Sequence, residues 1–267
     1  MRSAAIRIKT PEQIEGIRSA SQIAAATLSM LDDRVRPGVT TGYLNQVAHD
    51  FIVERGATPT SLGYKGFPKS VCTSVNHVVC HGIPSDDKVL KKGDIINIDI
   101  GVTKDGFIGD TSKMYKVGEK VGVLQNRLCD ITYDCMRAGI SVVKPGEDIS
   151  VVGRAIEAYL RKSGMPYSIV RNYCGHGVGI EYHEDPQILH FSYKDLGQAF
   201  IPGMVFTVEP MINAGKPGTR QLPDNWTVVT KDHSLSAQWE HTVLVTADGF
   251  EILSLRKEEQ EEWTENL

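Results

Sequence analysis

Residues 95–116 read Ile-Ile-Asn-Ile-Asp-Ile-Gly-Val-Thr-Lys-Asp-Gly-Phe-Ile-Gly-Asp-Thr-Ser-Lys-Met-Tyr-Lys, and this pattern predicts a β-hairpin. Ile96, Ile98, Ile100 and Val102 alternate on one face, the period of a strand. Asp105-Gly106 is a two-residue turn signal that joins antiparallel strands. Asp99 breaks the pattern. Aspartate is depleted in strands, yet Asp99 sits among isoleucines on the face it shares with Asn97. Asp110 returns on the partner strand. Two carboxylates on neighbouring strands repel unless a cation lies between them. The competing reading is a solvated strand face, and the choice rests on the rest of the chain.

The chain has 267 residues, 41% hydrophobic and 23% charged, an ordinary globular composition with material for one or two domains. The net charge is −4 and there is no long basic run, which argues against nucleic acid as the main ligand. The first residues have no apolar signal segment, and no apolar run approaches membrane-spanning length. Cys72, Cys80, Cys129, Cys135 and Cys174 are an odd set without a C-x-x-C pair. That usage fits a reduced, cytoplasmic protein rather than a disulfide scaffold.

Working outward, Thr10-Pro11-Glu12-Gln13 is a helix start, followed by Ile14, Ile17, Ala24, Leu28 and Leu31 at helical spacing. After Arg36-Pro37-Gly38, a second helix carries Leu44, Val47, Ala48, Phe51 and Ile52 and stops at Gly56. The same pattern recurs 108 residues later as Lys144-Pro145-Gly146, Val152, Ala155, Ile156, Tyr159 and Leu160, with Gly164 as the stop. Residues 91–99 likewise align with 201–209 at an offset of 110, so that Glu209 falls where Asp99 falls. A later strand, 238–245, is expected to carry Glu240 much as the return strand carries Asp110.

A single duplication is the simplest account, because solenoid periods are far shorter. The halves span about 36–118 and 144–254, preceded by a helix over 11–33, in one domain of 1–267. A connecting helix over 119–140 has Leu124, Leu128, Ile131, Cys135 and Met136 as its apolar face. The fold class is α+β, with helices outside an antiparallel sheet. The charged tail from Arg256 to Leu267 is expected to fray.

Asp99, Asp110, Glu209 and Glu240 would converge where the halves meet. Four carboxylates call for two divalent cations, and oxygen-rich ligation suits Mn, Fe or Co better than a structural zinc site. Two such ions lower the pKa of a shared water to about 7. His176, flanked by Gly175 and Gly177, has room around its imidazole, and His183 and His81 follow as further candidates. His49, His77, His190, His233 and His241 are assigned no role.

Together, Val79-Cys80-His81-Gly82-Ile83-Pro84, Asn97-Ile98-Asp99, Gly109-Asp110-Thr111-Ser112, Cys174-Gly175-His176-Gly177 with His183-Glu184, Thr207-Val208-Glu209-Pro210 and Glu240-His241-Thr242 resemble the methionine aminopeptidases. The motifs occur in the family's order and cover nearly the whole chain. The resemblance implies the pita-bread fold and the removal of N-terminal methionine when the second residue is small. It implies a dinuclear centre of Co, Mn, Fe or Zn on Asp99, Asp110, His176, Glu209 and Glu240. Glu209 would also relay a proton, while His81 and His183 contact the scissile peptide.

The same resemblance implies a methionine pocket of Tyr64, Phe67, Cys72, Tyr182 and Trp226, together with His81 and His183. Ser61, Phe67, Ile108 and Tyr182 depart from residues common in relatives and bear on the pocket's fine shape. About thirty residues separate Glu209 from Glu240, too few for the inserted subdomain of type II members. The resemblance is therefore to the short bacterial type I form, a monomer acting on nascent polypeptide N-termini, with the ribosome as a candidate partner. The alternatives are a non-catalytic pita-bread binding protein, or a proline-directed or creatinase-like enzyme of the same fold.

Overall fold

The computed structural model describes residues 6–194 and 197–264; the ends of the expected 1–267 domain lie outside the described residues. Helix α1 (Pro11–Leu31) begins with a reciprocal capping box. Gln13 N–H donates to Thr10 Oγ1 at 3.3 Å, and Thr10 N–H donates to Gln13 Oε1 at 2.9 Å. Helix α2 (Thr41–Glu54) is capped by Thr40, whose Oγ1 accepts from Tyr43 N–H.

The hairpin forms as the sequence predicts, with strands Ile95–Lys104 and Phe107–Lys116 in register from Ile95↔Lys116 to Lys104↔Phe107. Asp105 (φ 50°) and Gly106 (φ 83°) both occupy the left-handed region that this tight turn requires. Ile96, Ile98, Ile100 and Val102 are buried against Ala24, Leu28, Leu31, Leu44, Ala48 and Ile52 of α1 and α2. The opposite face, with Asn97, Asp99 and Gly101, is thereby left to form a site.

The second half repeats the arrangement. Helices α3 (Val123–Ile140) and α4 (Val151–Lys162) pack Leu128, Met136, Ile140, Val152, Ile156 and Leu160 against Phe206, Val208, Val243 and Val245. The backbone repeats in detail. Gly38 and Gly146 have φ 90° and 88°, Gly56 and Gly164 have 64° and 68°, and Gly93 and Gly203 have 92° and 90°. Gly38 N–H donates to Leu90 O and Gly146 N–H to Phe200 O, while Gly93 N–H donates to Val117 O and Gly203 N–H to Val245 O. All strand pairings between described residues are antiparallel. The halves meet at a bridge between Ser112 and Glu240.

Three expectations are corrected. The strand expected over 238–245 is split into Ser236–Gln238 and His241–Val245. His241 pairs with Val208 as Lys113 pairs with Ile98, so Glu240 takes the register of Ser112, and Gln238 stands where Asp110 stands. The connecting helix starts at Val123, leaving Leu124 46% exposed, because Gly122 is its N-cap. The tail does not fray where it begins. The Arg256 guanidinium is buried, donating to Thr111 Oγ1 at 3.1 Å, Ser112 O at 3.3 Å and Glu259 Oε1 at 2.6 Å. Residues 265–267 lie outside the described residues.

Gly93 and Gly203 are equivalent positions with different surroundings. A Cβ on Gly93 meets nothing within 4 Å, whereas one on Gly203 would lie 2.8 Å from Ile8 Cγ2 and 3.1 Å from Lys9 O. Gly93→Ala is expected to cost about 1–2 kcal/mol for the left-handed backbone alone. Gly203→Ala is expected to cost more, because the N-terminal arm must also shift. Urea denaturation of both variants tests this ranking.

Candidate metal centre and substrate pocket

Asp99 pairs across the sheet with Cys72 on one side and Ser112 on the other, and Asp110 pairs with Gly101. The two carboxylates are thus diagonal neighbours on the face away from the helices. Strand Gly175–Gly177 brings His176 in from the second half. The flanking glycines permit close strand approach: a Cβ on Gly175 would fall 2.2 Å from Thr207 O, and one on Gly177 2.4 Å from Asp185 O. His176 Nδ1 lies 3.0 Å from Gly177 O, a pure acceptor, so the proton sits on Nδ1 and the Nε2 lone pair faces the carboxylates. Nε2 is 3.5 Å from Glu209 Oε1 and 3.8 Å from Asp110 Oδ2. One ligand atom each from Asp110, His176 and Glu240 lie within 4.8 Å of one another.

Glu209 is the most firmly held of the acids. Thr207 Oγ1 donates to its Oε1 at 2.7 Å, Gln238 Nε2 donates to its Oε2 at 3.1 Å, and its own N–H donates to His190 Nε2 at 3.1 Å. Thr207 is legible, since it shares the strand face of Glu209. Gln238 and His190 are not, because nothing near either in sequence signals its burial beside Glu209.

Burial pushes all four acids upward, because the low-dielectric interior disfavours charge. Asp99 is raised to about 7 by burial. Glu209 is raised to about 8 by burial and then by the charge of Asp99. Asp110 is raised well above the usual range by burial, Asp99 and Glu209, and Glu240 by burial, Asp110 and Glu209. The imidazoles move the other way. Burial lowers His176 to about 4 and His183 to about 3, and also lowers His81, so all three are neutral near pH 7.

The donor set fits divalent cations. It combines hard carboxylate oxygens with one neutral imidazole, and Asp110 Oδ1 is buried without a hydrogen-bond partner. The cluster lines a cavity of about 620 Å³. Every residue expected for the pocket lines it as well: Tyr64, Phe67, Cys72, His81, Tyr182, His183 and Trp226. Phe67 meets Trp226 edge-on at 5.1 Å, Trp226 meets His81 at 6.0 Å, and Tyr64 meets Tyr182 at 5.0 Å. Tyr64 Oη is 2.8 Å from His183 Nδ1, and Ser61 Oγ is 3.0 Å from Tyr182 Oη.

A sequence profile of metallopeptidase family M24 matches residues 15–247. The methionine aminopeptidase of Escherichia coli strain K12 is 52% identical over 256 residues, 96% of each chain. The crystal structure of the methionine aminopeptidase from Rickettsia prowazekii superimposes with a TM-score of 0.90 at 52% identity, covering 94% of this chain and all of that one. That from Thermotoga maritima also scores 0.90, at 34% identity, covering 94% of this chain and 99% of that one. The chain belongs to the methionine aminopeptidases of metallopeptidase family M24. It therefore has the pita-bread fold and is a metal-dependent hydrolase, and M24 membership implies divalent-metal binding. Relatives that match nearly end to end as methionine aminopeptidases leave the proline-directed, creatinase-like and non-catalytic alternatives without support.

The raised carboxylates set a pH dependence for the metal-free M24 chain. A folded pKa above the unfolded one gives stability that is complete below the unfolded value, about 4, and is lost as pH rises through the folded value. With Asp99 at about 7 and Glu209 at about 8, that loss spans the range from pH 4 to 8. The melting temperature of chelator-treated protein is expected to fall between pH 5.5 and 8. Added divalent cation should raise it most at pH 8. A metal-free melting temperature that rises over that interval would contradict the cluster's electrostatics.

Proposed function

We propose that this enzyme removes the N-terminal methionine from peptides and nascent proteins whose second residue is small. The observation that supports this reading is the carboxylate-rich cluster at the wall of an aromatic cavity. It combines a hydrolytic centre with a slot for a flexible thioether, which gains S···aromatic contacts there. Asp99, Asp110, His176, Glu209 and Glu240 are the proposed ligands of two divalent ions, with Co, Mn, Fe and Zn as candidates. When bound, such ions supply Lewis-acid polarisation of the peptide carbonyl and acidify the attacking water.

The chain's own residues do the rest. Tyr64, Phe67, Cys72, Tyr182 and Trp226 hold the methionine side chain and exclude water from it. Glu209, fixed through both its oxygens, takes the proton of the attacking water and returns it to the leaving amine. His183 is oriented by Tyr64 at Nδ1, which leaves Nε2 directed to the scissile peptide. His81 approaches from the Trp226 side. Both are neutral and can donate one hydrogen bond to the developing oxyanion or to the leaving group.

We place the enzyme in the cytoplasm as a monomer acting on nascent chains, with the ribosome as a candidate partner and no nucleic acid as main ligand. Its five cysteines, four buried and Cys174 half-buried, are unpaired, as a reducing compartment would leave them. Among the described residues no helix is long and apolar enough to cross a membrane.

Glu209→Gln is expected to remove nearly all turnover of a Met-Ala-Ser peptide while preserving the fold. His81→Ala and His183→Ala are each expected to lower kcat by about 10²–10⁴-fold with metal content unchanged. Steady-state kinetics with parallel elemental analysis tests these outcomes. Loss of metal from either histidine variant would reassign that residue as a ligand.

A further inference from the structure

The aromatic wall of the cavity stands on a position with no side chain. Gly101 is opposite Asp110 in the hairpin and two residues beyond Asp99, on the face that carries both acids. Its backbone is ordinary strand, outside the left-handed region. A Cβ built there would lie 2.5 Å from Tyr182 Oη, 2.6 Å from Cζ and 2.8 Å from Cε2. Non-bonded carbons sit at about 3.5–4.0 Å, so the Tyr182 ring occupies the volume that any larger residue at 101 would need.

The ring is not free to swing aside. Ser61 Oγ holds its hydroxyl at 3.0 Å, the Tyr64 ring closes on it edge-on at 5.0 Å, and His183 packs at 4.8 Å. The hydroxyl end of the ring therefore rests on the strand at Gly101 and is held there by Ser61 and Tyr64.

We propose that Gly101 is a positioning residue that sets specificity for the first substrate residue. By leaving the strand bare, it seats the Tyr182 ring beside the carboxylates and so fixes the depth of the slot that takes the thioether. The proposal rests on the methionine-removal reading. A methyl group at 101 lifts the ring toward the cavity by roughly 1 Å, the difference between the clash and a normal contact. That shortens the slot for a linear side chain while leaving the metal ligands in place.

The test is a double-mutant cycle on the metal-loaded enzyme: wild type, Gly101→Ala, Tyr182→Leu and both together, with kcat and KM measured on a Met-Ala-Ser peptide. Leucine is too short to reach the atoms that clash. Gly101→Ala alone is expected to raise KM about tenfold, the scale of one misfitted methylene, with kcat changed less than about threefold. In the Tyr182→Leu background the same change is expected to alter KM less than about twofold, because the two sites are coupled through contact. Metal content is expected to be equal in all four proteins.

An equal Gly101→Ala penalty in both backgrounds, or a penalty in kcat accompanied by metal loss, overturns the proposal, since position 101 would then act through Asp99 and Asp110. If Gly101→Ala alone does not fold, recovery of a wild-type-like melting temperature in the double variant supports the proposal. Failure of both overturns it. A wild-type enzyme that cleaves the peptide without coupling between 101 and 182 leaves methionine removal standing. A wild-type enzyme that does not cleave it overturns the methionine reading, and this proposal with it.

Discussion

Four carboxylates occupy one buried place, and the rest of the molecule is arranged to bring them there. Each acid loses its hydration and faces the others across a low-dielectric cleft, which drives all four toward the protonated form. Cations relieve this repulsion, so the site is electrostatically incomplete without them. The scaffold's task is to offset the cost by packing elsewhere. The isoleucine face of the hairpin and its counterpart at Phe206 and Val208 bury dense apolar layers beneath two helix pairs, on the side of the sheet away from the acids. Burial of this kind contributes about 25 cal/mol per Å² of apolar surface, and it lets the other face carry groups that no isolated sheet would tolerate.

The two halves do not contribute symmetrically, and the asymmetry makes chemistry out of repetition. Equivalent glycines and turn hydrogen bonds show how closely the backbones correspond. At the centre they diverge. Ser112 has Glu240 as its counterpart, and Asp110 has Gln238. Gln238 donates to Glu209, so where the first half has a carboxylate the second has an amide that orients one. His176 enters on a strand whose flanking glycines let it press against Thr207. Beneath these groups Arg256 ties the tail to Thr111 and Ser112, next to Asp110.

Much of this was legible in the sequence because it is written in local rules. Alternation in 95–102 set the buried face and exposed Asp99 as an anomaly, and Asp105-Gly106 set the turn. The repeated Pro-Gly and helical spacings set the two halves. What sequence could not supply was register over long separations. Analogy with Asp110 suggests itself for Glu240, but the pairing of Gln238 with Met211 and of His241 with Val208 puts Glu240 in the register of Ser112. The tail looked frayed because Arg256-Lys257-Glu258-Glu259 is uniformly charged, whereas Arg256 finds acceptors some 145 residues away. His190 is silent in the sequence for the same reason: it matters through its burial against the Glu209 amide. Gly101 reads as a weak point in a strand until the Tyr182 ring is seen resting on it.

The buried acids of this site hold protons that cations displace. Calorimetric titration of chelator-treated protein with Mn at pH 7, repeated in two buffers of different ionisation enthalpy, measures the protons released on binding. Net proton release is expected, since Glu209, raised to about 8, must ionise to hold a cation, and burial shifts Asp110 and Glu240 in the same direction. Glu209→Gln is expected to reduce that release. Binding with no release, or a release unchanged by Glu209→Gln, would contradict this.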